Sequence, residues 1–126
     1  MRLITHNMLK CNVRGVKDGY PLKIEAEKTE VIECEFNAEM VQGLLSKIDW
    51  AALKRAALDL DIPDLEGLGD DSSSESLIND EEALKKVHHV LLEVHVLEGS
   101  LVCPSSGRKF HVKEGIPNML LHEDEV

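Results

Sequence analysis

Three cysteines and six histidines are the side chains of this 126-residue chain best suited to hold a metal or act as nucleophiles. Cys103-Pro104-Ser105-Ser106-Gly107 has the outline of a zinc knuckle, in which Cys-x-x-Cys places two thiolates on one tetrahedral ion. Its second position is Ser106, whose neutral hydroxyl is a poor zinc ligand, and Cys11 has no second cysteine near it, Val16 standing where one would be useful. His6, His88, His89, His95, His111 and His122 scatter over the chain and read as ordinary core or surface residues. A nucleophilic thiol needs a neighbouring base and a stabiliser for the developing charge; Cys103 and His95 offer the types without a motif. Cys34 lies between Glu33 and Glu35, which disfavour its thiolate, and reads as a packing residue. Gly67-Leu68-Gly69 sits in an acidic run rather than between a strand and a helix, so it does not read as a phosphate loop. Asp70-Asp71 and Glu81-Glu82 read as solubility and helix-capping charges.

The formal net charge of -10 opposes phosphate backbones, whose affinity for proteins comes mainly from Lys and Arg. Lys85-Lys86 and Arg108-Lys109 are each too small to form an electrostatic footprint. Aromatics make up only 3% of the chain, so aliphatic side chains must fill the core. The apolar run at Val90-Leu91-Leu92 is far short of the roughly 20 residues of a membrane span. Three widely spaced cysteines and an N-terminus without a signal-peptide core suggest a reduced, cytoplasmic and nuclear protein.

The elements follow from periodicity. Leu22 to Phe36 partly alternates, with Leu22, Ile24 and Ala26 on one face, and predicts one or two half-buried strands. Val41, Leu44, Leu45 and Ile48 recur at helical spacing behind an Asn37 cap, predicting a helix from Ala38. Asp49 caps a second helix with an apolar stripe of Trp50, Leu53, Ala57 and Leu60, which Pro63 ends. Residues 63–79 are acidic and rich in Gly and Ser, and are expected to form a mobile loop; Ser72-Ser73-Ser74 reads as solvated linker. Asn79, with Glu82 three residues on, is expected to cap a third helix running to Leu92. From Val94 the period becomes two, with Pro104-Ser105-Ser106-Gly107 as the turn of a hairpin that Phe110 and Val112 complete. The apolar stretch Gly115 to Leu121 is expected to be buried. The expected fold is α+β: a small antiparallel sheet built from both termini, residues 1–36 and 94–126, with a helical insertion at 37–93.

Leu3-Ile-Thr-His-Asn-Met-Leu9, Phe36-Asn37, Asp49-Trp50, His88-His89-Val90-Leu91-Leu92, Glu98-Gly99-x-Leu101-x-Cys103-Pro104 and Gly115-Ile-Pro-Asn-Met-Leu-Leu121, in this order, cover nearly the whole chain. In them the sequence resembles the multifunctional methyltransferase subunit family. The resemblance implies a zinc-ribbon-like terminal domain and a non-catalytic activator. Its implied partners are several S-adenosylmethionine-dependent methyltransferases acting on tRNA, small-subunit rRNA and a release factor, each a heterodimer formed by strand addition, with RNA met only through the partner. Members with a complete metal site hold zinc through two N-terminal cysteines and the hairpin Cys-x-x-Cys. Here only Cys11 and Cys103 remain, as vestigial positions, so a metal-free chain without cofactor is expected, with S-adenosylmethionine in the partner. Thr5, His6, Asn7, Met8 and Leu9 with Gly115, Ile116, Pro117, Asn118, Met119 and Leu120 are the expected contact residues. A degenerate zinc-ribbon module binding nucleic acid directly and a small thiol enzyme are the alternatives.

Overall fold

The computed structural model describes residues 1–16, 19–65, 68–69 and 75–120. Four antiparallel strands, β1 (Lys23–Val31), β2 (Val94–Val102), β3 (Lys109–Lys113) and β4 (Ile116–Pro117), form a sheet in the order β1-β2-β3-β4. Among the described residues five α-helices accompany it: α1 (Leu3–Asn7), α2 (Ala38–Leu45), α3 (Trp50–Asp59), α4 (Glu75–Ile78) and α5 (Glu81–His88). The α+β architecture agrees with the expectation.

The helical caps follow the sequence in two cases and depart from it in the third. Asn37 accepts from the Met40 N–H at 3.1 Å and Asp49 from the Ala52 N–H at 3.0 Å, each satisfying an orphan donor of the first turn. The third long helix is capped by Asp80 rather than Asn79; its carboxylate accepts from Glu82 and Ala83. Asn79 instead closes α4 through its own N–H, bonded to the Glu75 carbonyl. That short helix, and a 3₁₀ turn at Pro63–Leu65, correct the expectation of an unbroken loop, because Leu65 and Leu77 are buried in the core and tie the segment down. Residues 66, 67 and 70–74, with the serine cluster, lie outside the described residues.

The core is aliphatic, as the scarcity of aromatics required. Leu53 of α3, Val41 and Leu45 of α2, Val87 of α5 and Val96 and Leu101 of β2 are fully enclosed, with Phe110 of β3 beneath them. β1 is not half-buried along its length: only Ile24 is enclosed, and Ala26 is exposed. A register shift between Ala26 and Lys28 breaks the alternation, and the strand beyond it runs out in the open with Glu27, Lys28 and Glu30 on its surface. Charged side chains on an edge strand discourage pairing with other chains. At the shift, Gly99 of β2 faces Ala26. A Cβ at Gly99 would fall 2.3 Å from the Glu25 carbonyl oxygen, so only glycine lets the two strands approach.

The N-terminal segment adds an element for which periodicity gave no reading. Leu3–Asn7 is a helix packed on β2, and just before it Met1 exchanges backbone hydrogen bonds with Val96 while Arg2 forms a bridge with His95. At the other end the apolar stretch is not buried in this chain: Ile116 is 69% and Leu120 79% exposed.

Candidate functional site

The two vestigial positions meet at one corner of the sheet. The Cys11 N–H donates to the Gly19 carbonyl at 2.8 Å, and a Cβ at Gly19 would lie 2.6 Å from the Cys11 carbonyl oxygen, so glycine is required for this loop to close. Cys103 opens a tight turn in which Gly107 N–H donates to its carbonyl and Ser106 N–H points at its sulfur, 3.3 Å away. Cys11 and Cys103 are both buried and their thiols interact. Burial pushes the Cys11 thiol up. Burial pushes Cys103 the same way, but hydrogen bonds from the Ser106 hydroxyl and N–H, from Cys11 and from Ser105 outweigh it and bring Cys103 down to about 7. Val16 packs partly buried against the core rather than offering a donor. The corner thus presents two thiols and one hydroxyl, a donor set short of the four ligands of a structural zinc site.

The expected contact residues divide into those used internally and those left outside. His6 Nε2 donates to the Leu22 carbonyl at 2.6 Å, and its Nδ1 is buried without a partner. Asn7 clamps the start of α3 from both sides, its amide N–H donating to the Asp49 carbonyl and its oxygen accepting from the Asp49 N–H, each at 2.9 Å. The Asn7 carbonyl accepts from the Tyr20 hydroxyl. Asn7 therefore positions α1 against α3 and His6 ties it to the residue before β1, and both side chains are closed to other molecules. Thr5 and Met8 are exposed and Leu9 is partly buried. Gly115 is held by a bond from its N–H to the Leu97 carbonyl, close to the Met1 nitrogen, and Asn118 N–H donates to the His111 carbonyl. Met119 packs partly buried on the core, whereas Ile116 and Leu120 point away from it, with Pro117 half-buried between them in sequence. The two sequence segments are thus joined through Met1 and β2, and their accessible apolar members are Met8, Ile116 and Leu120.

Burial lowers the pKa of His6, outweighing the favourable Leu22 bond and the Asp59 charge. The folded chain therefore takes up this proton less readily than the unfolded chain, whose histidine titrates at about 6.5. Stability from this group is complete above that value and falls as the pH drops below it towards the folded pKa. Urea unfolding at pH 7.5 and 5.5 checks this: the native chain is expected to lose stability on acidification, and His6→Gln to show a shallower pH slope.

A further cluster was not expected. Cys34 Sγ lies 3.5 Å from His88 Nε2, which lies 3.7 Å from Glu93 Oε2; Glu93 Oε1 is 2.9 Å from His89 Nδ1. The helix widens after α5 into a π-helical turn, His89–Glu93. That i→i+5 repeat brings Glu93 back beneath His88, which an α-helix would not do. Burial pushes the Glu93 carboxyl up, but the Cys34 N–H, the His89 ring and the charges of His88 and His89 outweigh it and hold the carboxyl below its usual range.

A family model described as Trm112p-like protein matches residues 2–115. The chain belongs to that family. It is 53% identical over 126 residues to the Arabidopsis thaliana protein named multifunctional methyltransferase subunit TRM112 homolog B, with all of both chains covered. To the Mus musculus multifunctional methyltransferase subunit TRM112-like protein it is 46% identical over 127 residues, covering all of this chain and 98% of the mouse protein. Among solved structures, a chain of the E. cuniculi Mtq2–Trm112 complex, described as responsible for methylating the translation termination factor eRF1, superposes with a TM-score of 0.59 at 24% identity, over 95% of each chain. That likeness agrees with the fold described above.

Proposed function

We propose that this chain is a non-catalytic activating subunit that binds methyltransferase catalytic subunits as heterodimers, and that substrate RNA or protein and S-adenosylmethionine are handled by the partner. The observation that carries this reading is full-length similarity to relatives named multifunctional methyltransferase subunits. The exposed apolar side chains support it. Ile116 on the two-residue edge strand β4 and Leu120 just after it stand in the open, where a monomer gains nothing from them and an associating surface does. Strand addition at a sheet edge uses main-chain hydrogen bonds, which are indifferent to sequence, and Met8 supplies adaptable packing, so one subunit can serve several enzymes. tRNA, small-subunit rRNA and release factor are the proposed substrates of those complexes, which act in the cytoplasm and the nucleus.

Activation follows from mass action: a subunit that binds only the folded catalytic chain shifts that chain towards the folded state. At the Cys11 and Cys103 corner we propose that no zinc is held, the two thiols, Ser106 and the Val16 packing closing it instead. The test is co-expression with a class I methyltransferase of one of these substrate classes. Soluble catalytic subunit and methyl transfer are expected to rise at least tenfold over expression alone, with this chain binding no S-adenosylmethionine by itself in equilibrium dialysis. Methyl transfer by the isolated chain would overturn the reading.

A further inference from the structure

The side chains of Cys34, His88 and Glu93 converge from three places in the fold: the connection after β1, the end of α5 and the end of the π-helical turn. We propose that they form a site for a divalent cation of the zinc class, with three protein ligands and an open fourth position. The spacing carries it. Bonds of about 2.3 Å to sulfur and about 2.0–2.1 Å to nitrogen and oxygen, at a tetrahedral angle, place the donor atoms roughly 3.3–3.6 Å apart. The observed separations are 3.5 Å from sulfur to nitrogen and 3.7 Å from nitrogen to oxygen, and all three donor atoms lie within 4.8 Å of one another, so an ion fits between them once the side chains draw together.

The chemistry of the donors selects the ion. A thiolate and an imidazole suit zinc and its neighbours rather than calcium or magnesium, and one thiolate with one carboxylate neutralises a doubly charged ion. On binding, the Cys34 thiol proton leaves to solvent and the His88 ring proton moves from Nε2 to Nδ1, freeing Nε2 to ligate. The bond from Nε2 to the Cys34 carbonyl at 3.1 Å is given up, and Nδ1, buried without a partner, becomes a donor lacking an acceptor, a cost that the bonds to the ion must exceed.

The surroundings already orient the ligands. His89 Nδ1 holds the other Glu93 oxygen at 2.9 Å, and the Cys34 N–H donates to Oε2 at 3.0 Å. Phe36 stacks edge-on against the buried His88 ring, centroids 5.4 Å apart, fixing its plane. Cys34 is exposed, which gives an ion a way in, and Glu33 and Glu35 on either side make that entrance negative. This departs from the metal-free expectation, which weighed the Cys11 and Cys103 positions.

The test is titration of the reduced full-length chain with Zn²⁺, and with Co²⁺ for its thiolate charge-transfer band, beside three variants. One zinc per chain is expected. Cys34→Ser, an exposed substitution, is expected to lose both the stoichiometric zinc and the cobalt band; His89→Ala is expected to weaken binding about 10-fold or more. Cys103→Ser is expected to keep both. No binding by the native chain, zinc retained in Cys34→Ser, or zinc lost in Cys103→Ser would each overturn the proposal.

Discussion

The double substitution Ile116→Asp with Leu120→Asp is expected to abolish co-purification of methyltransferase catalytic subunits while leaving this chain folded. Both side chains are exposed in the isolated subunit, so the change should move its own stability by no more than about 0.5 kcal/mol. At an interface each apolar side chain contributes about 1.5–3 kcal/mol, and a carboxylate in its place must be desolvated. A combined loss on the order of 4 kcal/mol corresponds to roughly a thousandfold in affinity. Thermal unfolding of the free subunit and a binding titration against one catalytic partner separate the two effects. A large fall in melting temperature would instead assign these residues to folding. Met119 is a poorer probe, because it packs against the core and its replacement mixes both effects.

The second large effect is on the sheet. Gly99→Ala places a methyl group 2.3 Å from the Glu25 carbonyl oxygen and 2.9 Å from the Ala26 Cα, and both obstacles are backbone. Relief requires the two longest strands to separate at their register shift. The expected cost is about 3 kcal/mol or more, which for a chain of this size lowers the melting temperature by roughly 10 °C or more. Gly43→Ala is the matching control, since a Cβ there meets nothing within 4 Å and the position is helical. An unchanged melting temperature for Gly99→Ala would mean that the strands have slack at this point.

Local patterns were legible where one interaction decides the outcome. Asn37 and Asp49 cap their helices as their side chains require, and the hairpin turn after Cys103 follows from Pro and Gly placement. Where competing cap acceptors sit side by side, sequence misleads: Asp80 outcompetes Asn79 because its carboxylate accepts from two N–H groups at once. Long-range facts were not legible. Nothing in Leu3–Asn7 announces that His6 and Asn7 bond to Leu22 and Asp49, contacts that hold a short helix in place before the first strand. The acidic segment looked unstructured because single buried leucines, Leu65 and Leu77, carry no periodicity, yet each anchors a turn. The acidic neighbours of Cys34 argue against a role for its thiol, and His88 and Glu93, five residues apart, align only because the helix widens between them.

The most direct measurement is affinity purification of the tagged chain from its native cells, with the Ile116→Asp, Leu120→Asp variant as a parallel bait and mass spectrometry of what each retains. Several different methyltransferase catalytic subunits should accompany the native chain in near-equal molar amounts and be absent from the variant. A native bait that retains no methyltransferase, or that retains RNA without one, would contradict the account.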